Sequence, residues 1–171
     1  TESYIGMGFT AERVAERWKV SREDQDAWAL ASQQKAAHAM RDGRFDGQIV
    51  PIPTVAVTWK GTKKDEREVP FVRDELPRTD TTKEGLAKLK PAFKANGTVT
   101  AGNASPYSDG AAALLVMSAD RARELNLKPL ARFITFAAAG VEPDVMGVGP
   151  LKAVPKALKR AGLSMKDVQL I

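Results

Sequence analysis

The chain has 171 residues, 43% hydrophobic and 27% charged, enough for one domain with a core of its own or for two smaller pieces that share one. This composition excludes a disordered polypeptide, and no apolar run reaches the length that spans a bilayer, so a soluble protein is expected. A formal charge of +5 favours an anionic ligand only mildly, while zero cysteines exclude disulfides, thiolate metal sites and a cysteine nucleophile within this span.

Taken in chain order, Thr10 is placed to cap a first helix running through Val14 and Trp18. Ser21 is placed to open a second that ends near Gly43. The second helix would set Trp28, Ala31 and Ala39 on a small-residue face, suited to close packing against a neighbouring helix. From Gln48 to Val72 the pattern turns to β: Ile49 to Ile52, Val55 to Trp59, then Val69 to Val72, with Lys60 to Arg67 as the charged turn of a hairpin. Thr81 or Thr82 caps a short helix through Leu86 and Leu89, which Pro91 stops.

Residues 91 to 109, rich in Gly, Asn, Ser, Thr and Pro, form a loop between well-formed elements. Gly110 to Met117 then reads as a strand buried on both faces, Asp120 to Leu125 as a short helix, and Leu130 to Ala139 as a second buried strand. Gly147 to Pro150 reads as a turn and Val154 to Ala161 as a helix, with Pro155 in its first turn and Gly162 at its close. Asp167 to Ile171 reads as the opening of a further strand. The alternation is that of a layered α/β fold without internal repeats. The first residues show no initiator methionine or targeting segment, and both ends have the character of cuts, so a piece of a longer protein is expected.

Several short motifs invite a function and fail on chemistry. Gly6, Gly8 and Ala11 match the spacing of a dinucleotide fingerprint, but Asp26 falls inside a helix and not at the end of a second strand. His38, the one histidine, sits mid-helix among alanines with neither a nucleophile nor a second histidine to work with, and reads as a surface or packing residue. Trp59 beside Lys60, Lys63 and Lys64 is the outline of a nucleic-acid contact, which Asp65, Glu66 and Glu68 cancel. Two glycosylation sequons, at Asn96 and Asn103, lack a secretory context.

The distinctive block runs from Thr98 through Ala101, Gly102, Asn103 and Ser105 to Asp109, and then straight into Ala111 to Ala113. A tight turn held by Asn103 and Asp109 side chains explains part of it. A backbone this bare of bulky side chains can also approach a ligand closely and offer it N–H and C=O groups together with the Ser105 hydroxyl.

This block closely resembles the thiolase family. Further segments agree with that family in order: Met7 to Glu12, Ser21 to Asp26, Asp42 to Phe45, Lys88 to Phe93, and Met146 to Pro150. The resemblance covers essentially the whole chain. It implies a fold of two similar βαβαβαββ halves with a loop domain inserted in the first. Residues 1–107 would be most of that CoA-binding loop domain, 108–127 the strand and helix completing the N-terminal half, and 128–171 the beginning of the C-terminal half.

Thiolases move an acyl group between an enzyme cysteine and CoA, cleaving a 3-ketoacyl-CoA or condensing two acyl-CoAs. That chemistry needs a thiolate, a histidine that activates the incoming thiol, a second cysteine and oxyanion-hole donors. The resemblance places these outside this stretch, so no catalytic residue is assigned here and the chain is expected to be inert alone. What it implies within the chain is CoA contact. Arg78 would be the cation at the nucleotide end, Phe93 an apolar wall there, and Ala101 and Ser105 contacts to the pantetheine arm. Tyr107 and Met146 would line the acyl end, with Met7 a further candidate. A local alternative stands beside these roles, with Phe93 as a core residue and Arg78 as a surface ion-pair partner. Coenzyme A is expected as substrate, with no metal, in a homodimeric or homotetrameric cytoplasmic enzyme of fatty-acid β-oxidation, with a β-oxidation multienzyme partner possible and neither nucleic acid nor membrane engaged. Short-chain thiolases often carry histidine directly before the Met-Gly pair; Gly6 stands there instead, which favours the degradative branch. The rival from another class is a non-catalytic module that binds CoA or acyl-CoA.

Overall fold

The computed structural model describes residues 2–171. The chain divides into two compact units, one of residues 1–21, 91–99 and 107–171, the other of residues 22–90 and 100–106.

In the first unit, α1 (Met7–Trp18) starts four residues earlier than the Thr10 cap predicts. Gly6 is its N-cap, and Thr10 lies inside the helix, turning its hydroxyl back to the Met7 carbonyl at 2.7 Å. A threonine hydroxyl can satisfy itself in this way within a helix as readily as it can cap one. The helix ends at Lys19, in the left-handed conformation at φ 56°. Thr10, Glu12 and Ala15 form its buried face, and it packs on a 3₁₀ turn, Pro143–Val148, whose Val145 is 1% exposed. Arg13 reaches Asp144 in that turn at 3.0 Å.

Two predicted strands of this unit are absent. Residues 110–117 and 130–139 carry no ladder, and Leu114, Leu115 and Val116 are each more than four-fifths exposed. A strand exists only where a neighbour takes up its N–H and C=O groups, and among the described residues nothing pairs with either segment. Phe136, Ala138 and Gly140 have side chains as neighbours: their carbonyls accept from Arg160, Lys156 and Lys152 of α5 (Gly149–Ala161). That helix starts five residues before the predicted Val154, so Pro150 occupies its first turn and Pro155 falls in its interior. Gly162 at φ 69° ends it, as expected. The helix between, α4 (Ala119–Glu124), is capped by the Ser118 hydroxyl accepting from Arg121 N–H.

The last residues form a 3₁₀ turn, Met165–Asp167, and no strand. There the Ser164 N–H and hydroxyl both donate to the Asp167 carboxylate, at 2.8 and 2.7 Å, and hold its carboxyl below the usual value. Because the folded value is the lower one, the turn is favoured above the ordinary carboxylate range and loosens as pH falls through the folded value. A side-chain NMR titration should find Asp167 protonating below the ordinary aspartate value.

In the second unit, α2 (Arg22–Arg41) begins directly after Ser21, and Gly43 takes φ 66° beyond its end, both as expected. Its inward stripe runs through Asp26, Leu30, Gln33, Ala37 and Met40, with Asp26 buried. Trp28 and Ala31, expected on a small-residue packing face, lie on the other side, with Trp28 81% exposed. The helical period decides the face, and Asp26 is in register with the stripe where Trp28 is not. His38 lies on the surface as expected, with a carboxylate neighbour that its sequence surroundings did not suggest: Asp42, one turn later, meets its Nε2 at 3.2 Å.

The hairpin is present with a tighter turn. Strands β1 (Ile52–Lys60) and β2 (Lys63–Phe71) pair antiparallel from Ile52↔Phe71 to Lys60↔Lys63. Gly61 at φ 64° is the first of two loop residues, where a two-residue turn favours glycine. The run Lys63 to Arg67, read as part of the turn because of its charge, is therefore strand. Both faces of this ribbon lie largely in solvent, so charge costs little there, and Lys64 pairs with Glu66 two residues on. Helix α3 (Lys83–Ala87) is capped by Thr82, whose hydroxyl accepts from Gly85 N–H at 3.0 Å. Among the described residues, no helix is long and apolar enough to cross a membrane.

Candidate functional site

The densest set of side-chain hydrogen bonds in the second unit surrounds the turn from Thr100 to Ser105. Thr100 is fully buried. Its N–H donates to Asn103 Oδ1 at 2.7 Å, its hydroxyl accepts from Gly102 N–H at 3.2 Å, and its carbonyl accepts from Asn103 N–H at 3.3 Å. A short polar side chain thus closes the turn from within, which is the reason Asn suits the position. Asp109, the other side chain expected to hold the turn, lies beyond it on an exposed segment.

Beneath the turn, Asn103 Nδ2 donates to Asp26 Oδ1 at 2.9 Å. The other oxygen of Asp26 receives Arg22 Nε at 2.8 Å, and Arg22 Nη2 spans the Leu86 and Leu89 carbonyls at 2.7 and 3.1 Å. One buried carboxylate therefore joins the start of α2, the end of α3 and the turn. Gly102 is required by proximity: a Cβ there would stand 2.5 Å from Leu86 Cδ2 and 2.6 Å from Leu89 Cδ1. Held from below, the turn leaves Ala101 and Ser105 exposed on its outer side. Arg78 lies on the same unit, with its N–H bound to Gln33 Oε1 at 2.8 Å and its side chain exposed.

The preceding residues, in the first unit, are held by a second buried carboxylate. Glu12 is 3% exposed and accepts from Val99 N–H at 2.8 Å, from Thr98 N–H at 3.0 Å and from the Thr98 hydroxyl at 3.2 Å. Gly97 passes so close that a Cβ would lie 2.3 Å from Glu12 Oε1. Phe93 sits edge-on to Phe9 at 6.3 Å, its ring over Gly8, where a Cβ would be 2.3 Å from the ring. That contact gives Gly8 a packing role in place of the fingerprint role its spacing suggested. Met7 at the start of α1 and Met146 in the 3₁₀ turn are at least half exposed, and Tyr107 is fully exposed.

The fold therefore brings Ala101 and Ser105 onto one pinned turn, and puts Met7, Phe93 and Met146 on α1 or on elements that pack against it. Tyr107 is fully exposed on the irregular stretch that leads to residue 110. A cavity of about 520 Å³ opens at the end of α2, lined by Met40, Phe45, Ile49, Val72 and Thr79 among others, and none of the expected CoA residues lines it. Sequence reasoning did not single out Glu12, Arg22 or Asp26 as holding residues. The usable signal was the Arg22–Asp26 spacing of four, which puts opposite charges on one helical face.

Two family models cover nearly all of the chain: "Thiolase, N-terminal domain" over residues 2–120 and "Thiolase, C-terminal domain" over residues 127–171. The chain belongs to the thiolase family. It is 49% identical over 170 residues to a 3-ketoacyl-CoA thiolase of Bacillus subtilis, covering 99% of this chain and 44% of that protein. It is 52% identical over 166 residues to the peroxisomal 3-ketoacyl-CoA thiolase of Homo sapiens, covering 97% of this chain and 38% of the relative. The crystal structure of the Bacillus anthracis acetyl-CoA acetyltransferase superposes with a TM-score of 0.86 at 46% identity, over 97% of this chain and 40% of that one. The chain thus spans about two fifths of the length of these thiolases, and the α/β class expected from the sequence stands as a share of their fold.

Proposed function

We propose that this chain is the CoA-binding share of a thiolase, an acyltransferase that cleaves 3-ketoacyl-CoA to acetyl-CoA and a shortened acyl-CoA, or runs the reverse condensation. The nucleophile and its acid/base partners would come from sequence outside these 171 residues, and the chain alone would be inactive. The absence of any cysteine supports this division of labour, since the acyl-enzyme needs a thiolate. The reading keeps residues 1–107 as the loop domain, 108–127 as the end of the first half and 128–171 as the start of the second. The intact enzyme would be a cytoplasmic homodimer or homotetramer, although one relative is peroxisomal by name.

The observation that carries the reading is the turn at Ala101 to Ser105, poor in side chains, fixed from below and open above. Such a surface lets the slender pantetheine arm lie against main chain, with the Ser105 hydroxyl as a polar anchor. In this reading Arg78 meets the phosphates or adenine, Phe93 supports the same end, and Tyr107, Met146 and Met7 line the acyl end. The test is Ser105→Ala in the full-length enzyme. Contact made equally in ground and transition states is uniform binding, so KM for CoA should rise roughly three- to tenfold while kcat changes less than about twofold. A large fall in kcat at constant KM would overturn the role.

A second reading, a non-catalytic module that binds CoA or acyl-CoA, draws on the same missing thiolate. Reading the coding frame on both sides separates the two. Cysteine motifs upstream and downstream support the enzyme, and a frame confined to these residues supports the module.

A further inference from the structure

We propose that Asp26 and Asn103 are positioning residues for the CoA-contacting turn, the buried carboxylate setting the height and tilt of Ala101 and Ser105 through a single side-chain hydrogen bond. The inference rests on the CoA reading of that turn and adds to it the part that holds it in place.

The geometry leaves Asn103 fully committed. Its Oδ1 closes the turn on Thr100 N–H at 2.7 Å, and its Nδ2 faces Asp26 Oδ1 at 2.9 Å. One side chain thus shapes the turn and anchors it, and the anchor is the only link of the two that leaves the turn. Asp26 is in turn committed to Arg22, whose guanidinium grips the end of α3. Its charge is balanced by the partly buried Arg22 and lies under the turn, away from its exposed face. A buried pair of this kind contributes little net stability compared with an apolar replacement, while breaking it is costly, so its value lies in geometry. Ala101, Gly102 and Ala104 carry no polar side chain that could add an anchor, and the hydroxyl of the buried Thr100 accepts from Gly102 N–H within the turn itself.

The hydrogen bond has a direction, amide donor to carboxylate acceptor, and can be reversed. Asn103→Asp keeps an oxygen for Thr100 N–H but sets a second carboxylate 2.9 Å from the first. Adding Asp26→Asn restores one donor and one acceptor, with the amide now on α2, and leaves an oxygen for Arg22 Nε.

The experiment is steady-state kinetics of the full-length enzyme with CoA varied, together with amide hydrogen exchange at Thr100 and Gly102. Asn103→Asp alone should raise KM for CoA roughly tenfold with kcat within about twofold, and speed exchange at both amides. The double variant Asp26→Asn with Asn103→Asp should return KM to within about twofold of wild type and slow exchange again. If the single variant fails to fold, a folded double with near-normal KM supports the proposal, and a double that stays unfolded or keeps a raised KM overturns it. An unchanged KM in the single variant also overturns it. Ser105→Ala separates the two levels. Should that variant raise KM while the Asn103 and Asp26 changes do not, the positioning role fails and the CoA reading stands. Should Ser105→Ala leave KM unchanged while exchange responds to the swap, the CoA reading fails, and this inference with it.

Discussion

Replacing Glu12 with alanine is expected to destabilise the protein by about 3 kcal/mol, the largest stability effect of any single substitution considered. The carboxylate is nearly inaccessible and takes two backbone N–H groups and one hydroxyl from Thr98 and Val99. Val99 is itself buried, so its N–H would lose its acceptor at a desolvation cost. For a chain of this length the loss corresponds to a fall in Tm of about 6–12 °C. Glu12→Gln keeps one carbonyl oxygen in place and should cost less than half as much. Thermal unfolding followed by circular dichroism decides the matter, and a Tm within about 2 °C of wild type for Glu12→Ala would show that Thr98 and Val99 find other acceptors.

Gly102→Val is expected to cost about 1–3 kcal/mol and to raise KM for CoA in the full-length enzyme. The new Cβ would fall within 2.6 Å of two leucine methyl groups, and Leu86 is buried and cannot swing into solvent. The turn must then lift away from α3, which strains the Asn103 to Asp26 bond as well. Shortening Leu86 to alanine makes room for the valine while removing a buried side chain. The double variant should therefore lose less stability than the sum of the two single changes, with a coupling of about 1 kcal/mol or more. Strict additivity in urea denaturation would place the clash elsewhere.

Local chemistry made the helices legible. Ser21, Thr82 and Gly162 stand at the ends where capping rules put them, and the alternation at Val55, Val57 and Trp59 identified the first strand of the hairpin. Family membership was legible because several motifs occur in order. Information absent from any local window was not. The segments 110–117 and 130–139 have the composition of central strands, but a strand is a property of two chains and no described residue pairs with them. Glu12 and Asp26 look like ordinary solvated acids on amphipathic helices, and only the folded arrangement shows which N–H groups they accept from. Gly8, Gly97 and Gly102 are likewise explained by Phe93, Glu12, Leu86 and Leu89, at separations in sequence from 13 to 85 residues.

The candidate site was legible to the same degree. The bareness of the loop pointed to Ser105, resemblance added Ala101, and the two share one turn. The foundation of that turn, Asn103 on Asp26 on Arg22, depends on contacts between residues 22 and 103 that spacing cannot reveal. Arg78 and Tyr107 came from resemblance alone, and their side chains are exposed with no local geometry that selects a ligand.

The central claim is that CoA lies against the pinned turn, and the most direct measurement is a crystal structure of the full-length enzyme with CoA bound. The pantetheine arm is expected to run along Ala101 to Ser105, with the Ser105 hydroxyl within about 3.5 Å of one of its polar atoms and the Asn103 to Asp26 bond intact. Density for CoA at a different surface, with Ala101 and Ser105 left in solvent, would contradict it.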